Sequence, residues 1–148
     1  MMECLRMNEE DYNKVLQGNK NLSDVNLEDA NLEGVDLIDA NLSNANLQGV
    51  DLIDANLQGA NLQGANLESA SLRNANLSNA NLEGAELECA GLNGTNLQGA
   101  NLTRANLFKA DLRNANLSNA NLEGADLCHI LQFNADFSDA NLKGVKWG

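Results

Sequence analysis

Leucine recurs at every fifth position for more than a hundred residues of this chain. The series begins at Leu22 and runs without a gap or an insertion to Leu127. From Leu27 on, a small residue, usually Ala, stands two positions before each leucine, and the position between them is nearly always Asn or Asp. Two variable positions follow each leucine. The chain therefore consists of a repeated five-residue word, A-(N/D)-L-x-x.

A period of five does not match a continuous helix. At 3.6 residues per turn, successive leucines would step around the helix axis by about 140° and face every direction. Within each word, however, the small residue and the leucine are two apart, which is the spacing of one face of a strand. A short strand that turns a corner every five residues satisfies both observations. Four such sides would close a coil of about twenty residues, with the small residue and the leucine inside.

Internal duplications fit that coil. The run Leu72–Leu87 reappears almost unchanged at Leu112–Leu127, an offset of two coils. Val35–Leu42 reappears at Val50–Leu57, which is an offset of three words rather than a whole number of coils. The five-residue word is therefore the elementary unit. Asn side chains one coil apart, such as Asn41 and Asn61, are predicted to form ladders along one side.

These words resemble the signature of the pentapeptide repeat family, A-(D/N)-L-x-x. The resemblance covers about Asn21 to Trp147, with more than twenty consecutive fitting words. It implies an all-β fold, a right-handed quadrilateral parallel β-helix in which leucine fills the axis. Residues 20–148 would form this pentapeptide repeat solenoid of about six coils, a rod roughly 30 Å long.

Residues 1–19 precede the repeats and are predicted to form a cap with a short α-helix. Asn8 has the position and chemistry of an N-cap, and Met7 and Tyr12 have the spacing of a hydrophobic staple. We expect Tyr12, Val15 and Leu16 to lie across the first coil and cover its open core, because an uncovered strand edge is an aggregation template. A partner-binding helix is the alternative interpretation.

The last coil is less regular than the others. The phase of the leucines continues through Gln132, Phe137, Leu142 and Trp147, but residues 130–133 depart from the word, which predicts a local bulge. The large side chains of this coil are expected to close its core. They equally suit an end-to-end homodimer face, and the two roles can coexist.

A few outer positions carry apolar residues. Phe108 and Cys128 occupy the same position on successive coils, with Trp147 on the same side in the coil above. Together with Phe133 and Phe137 they form the candidate interface that the sequence predicts, since clustered exposed apolar residues mark interaction surfaces.

No catalytic constellation is visible in the sequence. His129 is the single histidine, and the three cysteines (Cys4, Cys89 and Cys128) are irregularly spaced, which is typical of free thiols in a reducing compartment. Every carboxylate of the repeats is outward by register. We therefore expect no enzyme activity, no catalytic residues, no metal site and no cofactor, and a cytoplasmic location.

The net charge of −12 disfavours direct nucleic acid binding and attachment to an anionic membrane. No apolar run is long enough to span a bilayer, and the stretch from Met1 to Lys14 lacks the apolar region of a secretory signal. The favoured function is a non-enzymatic protein-interaction scaffold whose partner the sequence does not identify.

The family resemblance adds an alternative function. Some members resemble B-DNA in shape and charge and act as modulators of type II topoisomerases such as gyrase. Here two opposite sides of the rod are acidic and the other two less so. Duplex DNA, however, carries about 17 charges over ~30 Å, a higher density than this chain provides. A DNA-mimicking modulator therefore ranks second.

Overall fold

The computed structural model describes residues 7–148. Its one helix within that range, α1, spans Glu9–Leu16. From residue 20 onward the chain winds as a right-handed, four-sided parallel β-helix. Pairing between coils consists of isolated parallel bridges rather than extended strands, and each bridge joins residues twenty apart, from Asn21 with Asn41 to Asp126 with Lys146. The coil length that the leucine period predicts is confirmed.

We name the four sides by their first leucine: side A carries Leu22, side B Leu27, side C Leu32 and side D Leu37, and each repeats every twenty residues. The two variable positions of each word make the turn between sides. The turn is closed by the next small residue, as where Ala30 donates its N–H to the carbonyl of Leu27 at 3.0 Å. We call the second variable position the corner residue.

Corner residues adopt positive φ throughout the described repeats. The angle is +58° at Asp24 and +66° at Gly34. The third position of a type II turn requires a positive φ, and Gly and Asn adopt that angle at the lowest steric cost. The frequent Gly, Asn and Asp at this position of the word follow from that requirement.

The leucines fill the axis of the rod. Those from Leu22 to Leu127 are at most 3% exposed, and each contributes about 1.5–3 kcal/mol of burial. The small inward residues pack beside them. Thr95 stands where most words have Ala and is fully buried. Its hydroxyl donates to the carbonyl of Leu72 at 2.7 Å, so the buried polar atom is satisfied.

The predicted Asn ladders are present. Asn61 is representative: its Nδ2 donates to Oδ1 of Asn41 at 3.3 Å, and its Oδ1 accepts the N–H of Gln63 at 3.2 Å. One side chain therefore satisfies an amide of its own turn and links its coil to the coil before it. Asp can accept the amide of its own turn but cannot donate to the coil before it, because an ionised carboxylate has no donor.

The N-terminal segment lies over the first coil. Asn8 is the N-cap of α1 and accepts the N–H of Glu10 at 3.0 Å. Met7 pairs antiparallel with Leu27. Tyr12 is partly buried against the core, and Val15 is 4% exposed.

Leu16 does not cover the core, and that expectation is wrong. Its side chain is 64% exposed. The inward face of α1 is set by Asp11 and Val15, both buried and four residues apart. Leu16 follows Val15 directly and is therefore turned by about 100° away from that face.

Side chains of the cap, together with Lys20, bond one backbone edge group on each of the four sides of the first coil. Without partners, its edge amides and carbonyls would be exposed strand edge. The bonds are Asn19 Oδ1 to the N–H of Asn21 (2.9 Å), Asp11 Oδ2 to the N–H of Asn26 (2.9 Å), Tyr12 Oη–H to the carbonyl of Asn31 (3.2 Å), and Lys20 Nζ to the carbonyl of Asp36 (3.2 Å).

The bulge expected at residues 130–133 is absent, so that prediction is wrong. Leu131 bridges Asp111 like any other residue of its row, and Leu112 donates its N–H to the carbonyl of Leu131 at 2.7 Å. The corner residue His129 has the usual φ of +60°. The backbone ladder to the coil below holds the register, because its bonds do not depend on which side chain occupies the position.

Candidate interaction surfaces

The C-terminal coil exposes side chains that are buried everywhere else. Leu142 and Trp147 occupy leucine positions of the word, yet they are 36% and 50% exposed. Phe137, also at a leucine position, is partly buried. The rings of Phe137 and Trp147 meet edge to face, with centroids 6.4 Å apart. This aromatic pair covers only part of the open core.

Two further exposed apolar side chains belong to the same coil, at outward positions of side C. Phe133 is 73% exposed and Leu131 is 53% exposed. We refer to Leu131, Phe133, Phe137, Leu142 and Trp147 as the end surface. Several large exposed apolar side chains in one coil are typical of interaction surfaces.

Backbone groups at the same end also lack partners. In the coil below, the amides of Leu112, Leu117, Leu122 and Leu127 all donate to carbonyls of the last coil. Within the described part of the chain, no backbone carbonyl accepts from the equivalent amides one coil later, which are those of Gln132, Phe137, Leu142 and Trp147. The end surface therefore combines apolar side chains with an unpaired strand edge.

Phe108 belongs to a different surface. Its ring is half-buried on side B and meets the imidazole of His129 edge to face, with centroids 5.4 Å apart. The Nζ of Lys109 lies 5.0 Å from the centroid of the same ring, within cation–π range. A shallow groove beside Phe108 is lined in part by Arg104 and Lys146.

The structure therefore divides the sequence-predicted interface residues between two places. Phe133, Phe137 and Trp147 lie on the end surface, whereas Phe108 and Cys128 lie on side B. Trp147 follows the phase of side B, but its ring contact is with Phe137 on side D. A leucine position points to the axis, so Trp147 turns across the end of the rod rather than toward Phe108.

Asp126 and Cys128 influence each other on side B. The N–H of Cys128 donates to Oδ1 of Asp126 at 3.0 Å, and this bond holds the pKa of the Asp126 carboxyl below its usual value. The same carboxylate, with burial, raises the pKa of the Cys128 thiol. Because the thiolate is the reactive form, this cysteine is a poor nucleophile at neutral pH. Cys128 and Cys89 are free thiols, and Cys4 lies outside the described residues.

Sequence reasoning missed the role of Asp11. Its carboxylate is buried between α1 and side B, where it accepts from Lys14 Nζ at 2.8 Å as well as from the amide of Asn26. The hydrogen bond from Lys14 lowers the pKa of Asp11 and raises the pKa of Lys14. The spacing of Asp11 and Lys14, three apart on a helix, is the signal that could have indicated the ion pair.

Residues 7–148 contain no cluster of metal-ligand side chains and no helix suited to spanning a bilayer. No three His, Cys, Asp or Glu side chains there are placed to hold a metal ion. None of the helical structure in that range has the length and apolar character of a membrane span.

Comparison with protein families gives one match. The family model described as pentapeptide repeats matches in eight copies, over residues 21–59, 51–88 and 85–124. These segments together cover more than half of the chain. A search of curated proteins gave no significant match.

Solved structures similar to this chain include three repeat proteins. One is a trypsin-treated form of QnrB1, a plasmid-mediated fluoroquinolone resistance protein, with 29% identity and a TM-score of 0.45, over 86% of this chain and 65% of that one. This chain thus spans slightly less than two thirds of that QnrB1 chain. Rfr23 from the cyanobacterium Cyanothece 51142 has 27% identity and a TM-score of 0.44, over 95% of both chains.

The third is HetL, a protein involved in heterocyst differentiation regulation, from Nostoc sp. strain PCC 7120. It has 27% identity and a TM-score of 0.34, over 84% of this chain and 75% of that one.

Proposed function

This chain belongs to the pentapeptide repeat family, and from that premise we propose that it is a non-enzymatic, cytoplasmic scaffold that binds proteins through its end surface. The observation that carries the proposal is the exposure of Leu142 and Trp147 at positions that are buried in every coil below. Their burial by a partner would be favourable by roughly 25 cal/mol per Å² of apolar area.

The carboxylates of the sides favour a structural rather than a chemical role. Asp51 accepts the N–H of Ile53 at 3.0 Å, and Asp136 accepts the N–H of Ser138 at 2.9 Å. The bond from Ser138 holds the pKa of Asp136 below its usual value. A carboxylate held ionised in this way, as that of Asp136 is, is poorly suited to general acid catalysis at neutral pH.

A second copy of the chain is the partner that the end surface fits best. Both copies would offer the same apolar side chains and the same unpaired edge, which is the self-complementarity that a twofold interface requires. The alternative partner for the same surface is a different protein, which would make the chain a scaffold for that protein.

Sedimentation equilibrium in about 1 M NaCl, where exposed charges are screened beyond ~3 Å, tests the end-to-end homodimer. We expect the wild type to shift from the 15.8 kDa monomer toward a dimer as its concentration rises. The double variant Leu142→Ser/Trp147→Ser should remain monomeric, because it removes apolar area from the interface.

Ile38→Ser is the matched control, since Ile38 is a half-buried outer residue of the first coil, at the other end of the rod. It should dimerise like the wild type. A wild type that stays monomeric at high salt, or an end variant that dimerises as well as the wild type, would contradict the homodimer.

The alternative, a DNA-mimicking modulator of a type II topoisomerase such as gyrase, is favoured by one observation, the net charge of −12 on a narrow rod. It predicts that the protein inhibits or protects gyrase in a supercoiling assay at about micromolar concentration. No effect of the wild type there would exclude this second candidate.

A further inference from the structure

Side B carries opposite charges at its two ends. In the first coil the corners that flank it are acidic, Asp24 on one edge and Asp29 on the other. Four coils later the same two rows carry Arg104 and Lys109. All four side chains are exposed, and all four residues have φ of 57° or 58°. They therefore leave the backbone in the same local geometry, with the acidic and basic pairs about 19 Å apart at ~4.8 Å per coil.

The middle of side B is flanked by small corner residues. One edge carries Gly64 and Gly84, and the other carries Gly49 and Ser69. No long side chain rises from these corners, so a partner meets the outer row of Gln48, Glu68 and Glu88 at the middle of this side.

The two basic corners are also the ones without an internal ion pair in the upper coils. Arg113, Lys143 and Lys146 each bind a carboxylate, at 2.6, 3.2 and 3.6 Å respectively. Within residues 7–148, no carboxylate lies within ion-pair distance of Arg104 or Lys109. Arg104 remains available to an external acidic group, and Lys109 keeps its charge without a carboxylate partner in this range while its Nζ lies over the Phe108 ring.

We propose that side B binds side B of a second copy, with the two rods antiparallel. Asp24 and Arg104 are each two coils from Gly64, and Asp29 and Lys109 are each two coils from Ser69. A twofold axis across the face at this middle coil turns each corner row onto the same row of the other copy. Asp24 then meets Arg104 of the second copy, and Asp29 meets its Lys109. Symmetry makes each contact twice.

The outer row in the centre of side B fits the same arrangement. Glu28 faces Phe108 of the second copy, between that copy's two basic corners, and Gln48 faces Glu88. Glu68 lies on the twofold axis and faces Glu68 of the second copy. It is the one like-charge pair in this row, which makes Glu68 a position where the association can be strengthened.

Charge reversal tests the pairing. Every side B variant is made in the Leu142→Ser/Trp147→Ser background, which removes the end-to-end contact. Sedimentation equilibrium in about 0.15 M NaCl, from about 10 µM to about 1 mM protein, should show a dimer of this background protein with native side B. Asp24→Arg and Arg104→Glu should each weaken dimerisation about tenfold or more, because each places like charges opposite one another in two contacts. Glu68→Gln should strengthen it.

Mixing the two single variants is the decisive step. In the mixed dimer, Arg at 24 of one copy faces Glu at 104 of the other, and the native Asp24–Arg104 pair is kept in the second contact. The equimolar mixture should therefore dimerise close to the level of the background protein with native side B, although neither variant does so alone. The double variant Asp24→Arg/Arg104→Glu should dimerise for the same reason.

Arg73→Glu is the matched control, because it makes the same charge reversal at an exposed position on side C. It should leave the dimer unchanged. Thermal melting of every variant excludes a folding defect as the cause of lost dimerisation.

A monomeric background protein with native side B at 0.15 M NaCl overturns the proposal, as does a mixture that fails to dimerise. A dimer that resists about 1 M NaCl and is lost in Leu142→Ser/Trp147→Ser belongs to the end surface instead. The two proposed interfaces can therefore be disproved independently of one another.

Discussion

At the scale of single residues, the energetic value of a leucine depends on whether another coil lies above it. Leu77 is in the middle of the rod and 1% exposed, whereas Leu142 occupies the same position of the word in the last coil and is 36% exposed. Both have the same local sequence role. They differ only in the packing that surrounds them.

Substitution by Ala should separate these two cases. Leu77→Ala should cost about 2–5 kcal/mol of unfolding free energy, since the rigid neighbouring coils cannot collapse into the cavity. Leu142→Ala should cost about 1 kcal/mol or less, because it removes area that is already partly hydrated. Urea unfolding followed by circular dichroism measures both, and equal losses would show that the core does not follow this arrangement.

The structural role of the Asn or Asp in each word also depends on the hydrogen bonds that its side chain makes. Oδ1 takes the amide two residues on, so either residue serves the turn, as Asp51 does for Ile53. Only Asn also donates to the coil below. The sequence preference for Asn over Asp in long rows, such as the row of Asn41 and Asn61 on side A, follows from that second bond.

At the scale of elements, a buried carboxylate is one of the groups that join α1 to the coils. Asp11 accepts from the amide of Asn26 on the coil and from Lys14 on the helix. An eight-residue helix is too short to be stable alone. Its position therefore depends on this contact, on the packing of Val15 and on the bridge of Met7 to Leu27.

Asp11→Ala should destabilise the protein by about 1–2 kcal/mol, because a buried amide loses its acceptor. The pKa of Asp11 is lowered in the fold from a reference of 3.8, so its contribution is fully present above pH ~4 and is lost as the pH falls through the lower, folded value. The difference in stability between wild type and variant should therefore shrink below pH ~4.

Chemical denaturation at several pH values measures this difference. Glu9→Ala is the control, since Glu9 is in the same first turn but exposed. A wild-type advantage that is constant from neutral pH to pH ~2 would contradict the ion-pair role of Asp11.

At the scale of the whole molecule, the rod is a stack in which each coil contacts only its neighbours. Bridges join residues twenty apart along its entire length. Stability in such an array is close to a sum over repeats and their interfaces. The number of coils can therefore change without a change in fold, provided that the register is kept.

Deletion of residues 61–80 removes one twenty-residue coil and joins Ala60 to Asn81. This variant should keep the β-helix and lose about one sixth of its unfolding free energy, because one of about six equivalent coils is gone. Deletion of residues 61–78, two residues fewer, shifts the later leucines out of phase. It should unfold or aggregate, and circular dichroism with thermal melting distinguishes the two. A shorter deletion that folds as well as the full coil would refute the register argument.

Much of this architecture follows from local sequence because the period is so strict. The leucine spacing alone predicts the square coil, its inward residues and its Asn ladders. Asn8 at the start of α1 illustrates the same point for the cap, since an N-cap acts within three residues of itself. Features that depend on one word and its immediate neighbours can therefore be predicted from the sequence.

Tertiary structure decided the remainder, because those features depend on contacts between distant residues. Leu16 is exposed because Asp11 and Val15 fix which face of α1 meets the coil. Residues 130–133 keep the regular register because the backbone of the coil below pairs with them. Trp147 meets Phe137 rather than Phe108 because the core is open at that end. In each case a partner outside the five-residue word sets the outcome, and the word carries no information about that partner.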